Sequence, residues 1–126
     1  IVLGDLNDGP GLDEYEKLFG RSGVEIVLGT AAKPDRRLYD PHAAQALQRR
    51  MVAQPATARF YLSHEKQYLS ALLDYVMVSP DLRPKALDWR IWHPFDDDDC
   101  WRDPALRHAL LHASDHFPVS LDLALP

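Results

Sequence analysis

The chain has 126 residues, 46% of them apolar and 26% charged, which fits one globular domain and is too short for two. Its net charge of −5 disfavours a tight, sequence-independent nucleic-acid binder, which presents a basic surface. The single cysteine, Cys100, excludes a disulfide framework and favours a reducing, cytoplasmic location. No apolar run approaches a membrane span, and no basic–apolar signal pattern is present.

In chain order, Ile1-Val2-Leu3 leads into the Gly/Asn/Asp/Pro cluster from Gly4 to Pro10 and reads as a buried strand ending in a loop. The sequence opens inside this apolar run rather than at methionine, so further chain upstream is expected. Leu12, Tyr15, Leu18 and Phe19 fall at helical spacing, with Gly20 as a stop. Val24 to Leu28 reads as a strand. Asp40-Pro41 predicts a helix N-cap and first-turn proline, with Ala44, Leu47 and Met51 as the apolar face. Thr57 to Leu62 is a strand candidate. Leu72 to Ser79, apolar apart from Asp74 and Ser79, reads as a strand covered on both faces. Leu87, Trp89 and Ile91 alternate with Asp88 and Arg90, the pattern of a half-buried strand. Asp103-Pro104 repeats the helix start, followed by Leu106, Leu110 and Ala113. Val119, Leu121, Leu123 and Leu125 alternate with Ser120, Asp122 and Ala124 as a final strand. The expectation is one α/β unit of roughly five or six strands and three helices, with no repeats and no dividing linker.

Three segments place polar groups inside or at the end of apolar strands: Gly4-Asp5-Leu6-Asn7, Leu73-Asp74-Tyr75-Val76 and Ser114-Asp115-His116-Phe117-Pro118-Val119. A carboxylate buried without a partner costs several kcal/mol, so such groups satisfy one another or are satisfied by a metal or anion. Singly, each has a plainer reading. Asp5 and Asn7 serve equally as turn caps, Asp74 as a backbone acceptor, and Asp115 and His116 as a turn cap and a core histidine.

Taken in this order, the three motifs resemble the second half of the endonuclease/exonuclease/phosphatase superfamily, which includes DNase I-like nucleases, abasic-site endonucleases, sphingomyelinases and inositol phosphatases. There a Gly-Asp-x-Asn motif is followed by an Asp-Tyr strand and, near the end, by Ser-Asp-His. The resemblance spans essentially the whole chain, although residues between the motifs match only in pattern. It implies an α/β (α+β) fold, the DNase I-like four-layer sandwich. Residues 1–126 would be its C-terminal half, supplying one sheet with flanking helices. It implies that Asp5 and Asn7 sit at the phosphate, that Asp74 pairs with His116, and that His116 and Asn7 contact the substrate. Asp115 and Asp5 would approach a metal, Mg²⁺ or Mn²⁺.

The chemistry agrees. Phosphoester hydrolysis must stabilise charge on the phosphoryl oxygens and position an in-line nucleophile. Amide, imidazolium and cation donors suit the first task, and an orienting carboxylate suits the second. The family's first half supplies an Asn, a metal-binding Glu and often another His, none of which this stretch contains. The fragment is therefore expected to be nearly inactive and to bind Mg²⁺ poorly. Its bare sheet face should be covered by the missing half or by self-association. The expected activity is metal-dependent phosphodiester hydrolysis. A small-molecule or lipid-headgroup phosphomonoesterase and a non-catalytic domain keeping the fold are the rivals. A nucleic-acid substrate is possible but disfavoured by charge.

Weaker signals have plainer readings. The stretch from His93 to Ala113, just before the Ser-Asp-His motif, is the specificity loop that the resemblance implies; its run Asp96 to Asp99 lacks the spaced ligands of a calcium loop and reads as a solvated acidic loop. His108 and His112 have zinc spacing but no third ligand. Trp89 and Trp92 read as core. Arg36-Arg37 and Arg49-Arg50 read as solvated faces, and Cys100 as structural.

Overall fold

Alternation along one strand decides which residues form the interior. In Asp74–Met77, here β4, Tyr75 and Met77 are buried while Asp74 and Val76 are only partly covered. Its antiparallel partner β1, Val2–Asp5, sets Val2 opposite Met77 and Gly4 opposite Tyr75 on the core face. Leu3 opposite Val76 and Asp5 opposite Asp74 fall on the other face. Residues 1–11, 13–48 and 53–125 are described by this computed structural model. Leu12, Met51 and the pair Arg49-Arg50 lie outside them.

Among the described residues, six strands form three small antiparallel sheets. Besides β1–β4, β2 (Ala58–Leu62) pairs with β3 (Gln67–Ala71), and β5 (Ala86–Ile91) pairs with β6 (Val119–Leu123). Four α-helices accompany them: α1 (Gly23–Leu28), α2 (Pro41–Gln48), α3 (Asp98–Arg102) and α4 (Pro104–Ala113). The chain is thus a mixed α and β domain. The expected single sheet is divided, because β4 runs close to β6 without a hydrogen-bonded ladder. The indole of Trp89 in β5 instead donates to the Val76 carbonyl at 2.9 Å. Among the described residues no helix is long and apolar enough to cross a membrane.

The main core joins α1, α2 and the inner face of β4 through Val24, Leu28, Ala43, Ala46, Leu72, Tyr75 and Met77. Asp40 ties two of these elements together. Its carboxylate caps α2 by accepting from the His42 and Ala43 amides at 2.8 and 3.0 Å, and it accepts from Val76 of β4 at 3.0 Å. The Tyr75 hydroxyl lies 2.7 and 2.9 Å from the carbonyls of Leu72 and Asp8. Burial pushes that phenol far above its ordinary value, so it remains a donor.

Five sequence expectations are corrected. Val24 to Leu28 is helical rather than a strand. Ser22 and Glu25 form a reciprocal capping box, Gly29 closes the helix in the left-handed conformation, and Asp8 accepts from the Val24 amide at 3.0 Å. The helix expected up to Phe19 shrinks to a single 3₁₀ turn, Glu16–Leu18, and Tyr15, Leu18 and Phe19 are exposed. Ile1 to Leu3 forms a strand that is exposed rather than buried, with Leu3 70% accessible. Likewise β4 is well covered only on its inner face. The acidic run is not merely a solvated loop. Asp97 caps α3 through the Asp99 and Cys100 amides and holds Arg90 at 2.7 Å, while Asp98 and Asp99 occupy the first turn, where carboxylates suit the helix dipole.

Candidate functional site: two aspartates and a histidine

The β1–β4 register sets Asp5 directly opposite Asp74 at one end of that ribbon. The chain then turns sharply. The Asp5 carboxylate accepts from the Asn7 amide at 2.7 Å, and Asn7 takes a φ of 50°, a left-handed conformation that asparagine tolerates better than most residues. This is the turn-capping role weighed from sequence, combined with a place in a cluster.

His116 arrives from the far end of the sequence. Ala58 of β2 bridges His116, and the Arg59 amide donates to the Asp115 carbonyl at 2.8 Å. Ser114 braces the turn by accepting from the His116 amide at 3.0 Å. Thr57 connects the parts. Its hydroxyl oxygen accepts from the Leu73 and Asp74 amides at 3.0 Å each, and its carbonyl accepts from the Phe117 amide at 2.6 Å.

The result is His116 Nδ1 at 2.9 Å from Asp74 Oδ2, with ligand atoms of Asp5, Asp74 and His116 all within 4.8 Å of one another. Asp5 is exposed, and the other two are partly covered. His116 is held above its ordinary 6.5 chiefly by the hydrogen bond to Asp74. The charges of Asp74, Asp5 and Asp115 add to this, and partial burial opposes it. Two carboxylates and an imidazole so placed offer oxygen donors for a hard divalent cation, or a proton-transfer pair.

The five residues singled out from sequence fall in two groups. Asp5, Asp74 and His116 converge, with Asn7 two residues along on an exposed turn. Asp115 stands outside the cluster and lines a pocket of about 510 Å³ beside the same turn, together with Arg59, Tyr68, Phe95, Ser114 and Phe117. Thr57 and Arg59 went unrecognised in the sequence, since a lone Thr or Arg at a strand carries no motif. His108 and His112 stack at 4.1 Å on exposed α4, away from any third ligand among the described residues. Cys100 is fully buried and its thiol is pushed up by burial, consistent with a packing role.

A second histidine lies under the site. His93 is 5% exposed, packs edge-on against Phe117 at 4.4 Å, and leaves Nε2 without a hydrogen-bond partner among the described residues. Burial lowers its affinity for protons. Asp96 opposes this, and the Arg59 charge reinforces it. Because the folded value lies below 6.5, the unfolded chain takes the proton first as pH falls. The associated stability is complete above that value and is lost below it. His93→Phe, which keeps a ring against Phe117, should therefore lose less stability than the unsubstituted chain between about pH 7 and about pH 5 in urea melts. Equal losses would contradict this account.

Comparison of the chain with protein-family models, with curated proteins and with solved structures finds no match.

Proposed function

We propose that this chain carries the Asp–His end of a metal-dependent phosphoester hydrolase of the endonuclease/exonuclease/phosphatase class, acting on a phosphodiester in a cytoplasmic setting. The observation that supports it is the pairing of Asp5 with Asp74 across neighbouring strands, with His116 bonded to the second. Like charges directly opposite on antiparallel strands are destabilising, so a fold that retains them has another use for the pair. Asp74 accepts the proton on Nδ1 of His116, fixing the ring and leaving Nε2 for a phosphoryl or leaving-group oxygen. The raised proton affinity favours His116 as a donor. Asn7 offers its carboxamide to a phosphoryl oxygen, and Asp5 orients the attacking water. Mg²⁺ or Mn²⁺, held by Asp5 with Asp74 as a further oxygen donor rather than by Asp115, would supply charge neutralisation at the phosphoryl group.

Asp5→Asn tests this on both sides. It should stabilise the fold by about 0.2–1 kcal/mol by removing the facing charge. It should also weaken Mn²⁺ binding, read by calorimetry, by at least the roughly 10–100-fold that even a supporting group costs. Destabilisation together with unchanged Mn²⁺ affinity would sink the reading.

The finer fold assignment belongs to the same proposal. Ile1 and Leu3 are exposed, and Leu3 lies on the face of β1 turned away from the helices. In a DNase I-like four-layer sandwich a second sheet covers that face. Without it, the chain should self-associate at micromolar concentration in sedimentation velocity runs, and a single monomer boundary would count against the sandwich. Exposed Asp96, Asp98 and Asp99 and the overall charge favour a small-molecule or lipid-headgroup phosphoester over duplex DNA as the substrate.

A further inference from the structure

The pocket beside the Ser114–His116 turn contains a cation with an unusual setting. The Arg59 guanidinium carbon lies 4.5 Å from the centroid of the Tyr68 ring and 4.3 Å from that of Phe95. The two rings come from separate parts of the chain, β3 and the segment after β5. Among the described residues, no carboxylate lies within ion-pair distance of this guanidinium. Arg90, by contrast, is occupied by Asp97, and Arg102 by Asp98. Ring contacts use the faces of a guanidinium. They hold it in place and leave the in-plane N–H groups, which take planar or tetrahedral oxyanions.

The remaining walls limit what can enter. Phe117 and Leu111 add apolar surface, suited to a planar or apolar body. Asp115 and His112 line the same pocket, so one permanent cation shares it with one carboxylate and one titratable imidazole. That balance suits one oxyanion and repels a chain of phosphates. The Phe95 ring lies 5.6 Å from, and is tilted by 39° to, that of Trp101, in the helix whose first turn carries Asp98 and Asp99.

We infer that this pocket binds one oxyanion, a carboxylate or a second phosphate, carried on a small planar or apolar body, with Arg59 as its anchor. This makes the substrate a small phosphoester with a second negative group. The choice of substrate rests on the hydrolase reading of the neighbouring cluster, whereas the oxyanion site stands on its own geometry.

The test compares three probes that share one ring: phenyl phosphate, 4-carboxyphenyl phosphate and 1,4-phenylene bisphosphate. Calorimetry in EDTA reads binding without metal-dependent turnover. At least one of the doubly charged probes should bind about tenfold more tightly than phenyl phosphate, the scale of one charge-assisted contact. Which of the two does so identifies the oxyanion. In Arg59→Met that preference should fall to near unity, and Arg59→Gln gives the same reading should the first variant fail to fold. No preference in the unsubstituted chain, or a preference that survives loss of Arg59, overturns the inference. Hydrolysis of bis(4-nitrophenyl) phosphate in Mg²⁺ by the full-length protein separates the two proposals. Preference in binding without that turnover keeps the oxyanion site and removes the hydrolase. Turnover without preference does the reverse.

Discussion

His116→Ala should lower metal-dependent hydrolysis of bis(4-nitrophenyl) phosphate by the full-length protein about 10²–10⁴-fold, the usual worth of a positioned acid–base group. The fold should tolerate the change, because the ring is partly exposed and its one side-chain bond goes to Asp74. Asp74→Asn should cost less in rate but should alter the pH profile. Asp74 is the chief reason that His116 holds its proton above 6.5. Without that carboxylate, the alkaline limb of the profile should move to lower pH. The stability carried by the same pair has a matching sign. It is complete below the unfolded value of 6.5 and fades as pH rises through the higher folded value. A His116→Ala protein with undiminished turnover would remove the functional assignment altogether.

Asp40→Ala should be among the most damaging single changes to a polar side chain outside the site. Asp40 is 1% exposed and accepts three backbone amides. Losing a helix cap costs about 1–2 kcal/mol. Stranding the Val76 amide beside the core adds about 1–3 kcal/mol. These contributions share one side chain, so the expected total is about 2–4 kcal/mol, a lowering of Tm by about 10 °C. Asp40→Asn keeps one acceptor oxygen and should lose less than half as much. Urea denaturation distinguishes the two variants, and a loss under about 1 kcal/mol for the alanine would show that α2 and β4 are joined by other means.

Much of this architecture is legible in the residues. Asp40-Pro41 and Asp103-Pro104 both start helices where their side chains cap, because N-cap chemistry is local and needs no tertiary context. The strands at 58–62, 74–77, 86–91 and 119–123 follow from apolar and alternating runs. Val24 to Leu28 misleads because its β-branched residues favour a strand, while the decisive signal sits at its edges, in Ser22, Glu25 and Gly29. The strand Gln67–Ala71 is hidden because it is largely exposed. Its turn also ends at Lys66, which takes a φ of 54° without the Gly or Asn that normally marks such a turn. Within the site, Asp5, Asp74 and His116 are legible as a set through motif order alone. Arg59 is invisible until Tyr68 and Phe95, from different strands and loops, are brought against it.

Thr57 gives the cluster an unusual dependence. A single residue in the middle of the chain holds Asp74 through its hydroxyl and Phe117, next to His116, through its carbonyl. Asp74 and His116 are 42 positions apart in sequence, yet both lean on this joint. Opening of the Thr57 segment should therefore loosen Asp74 and His116 together.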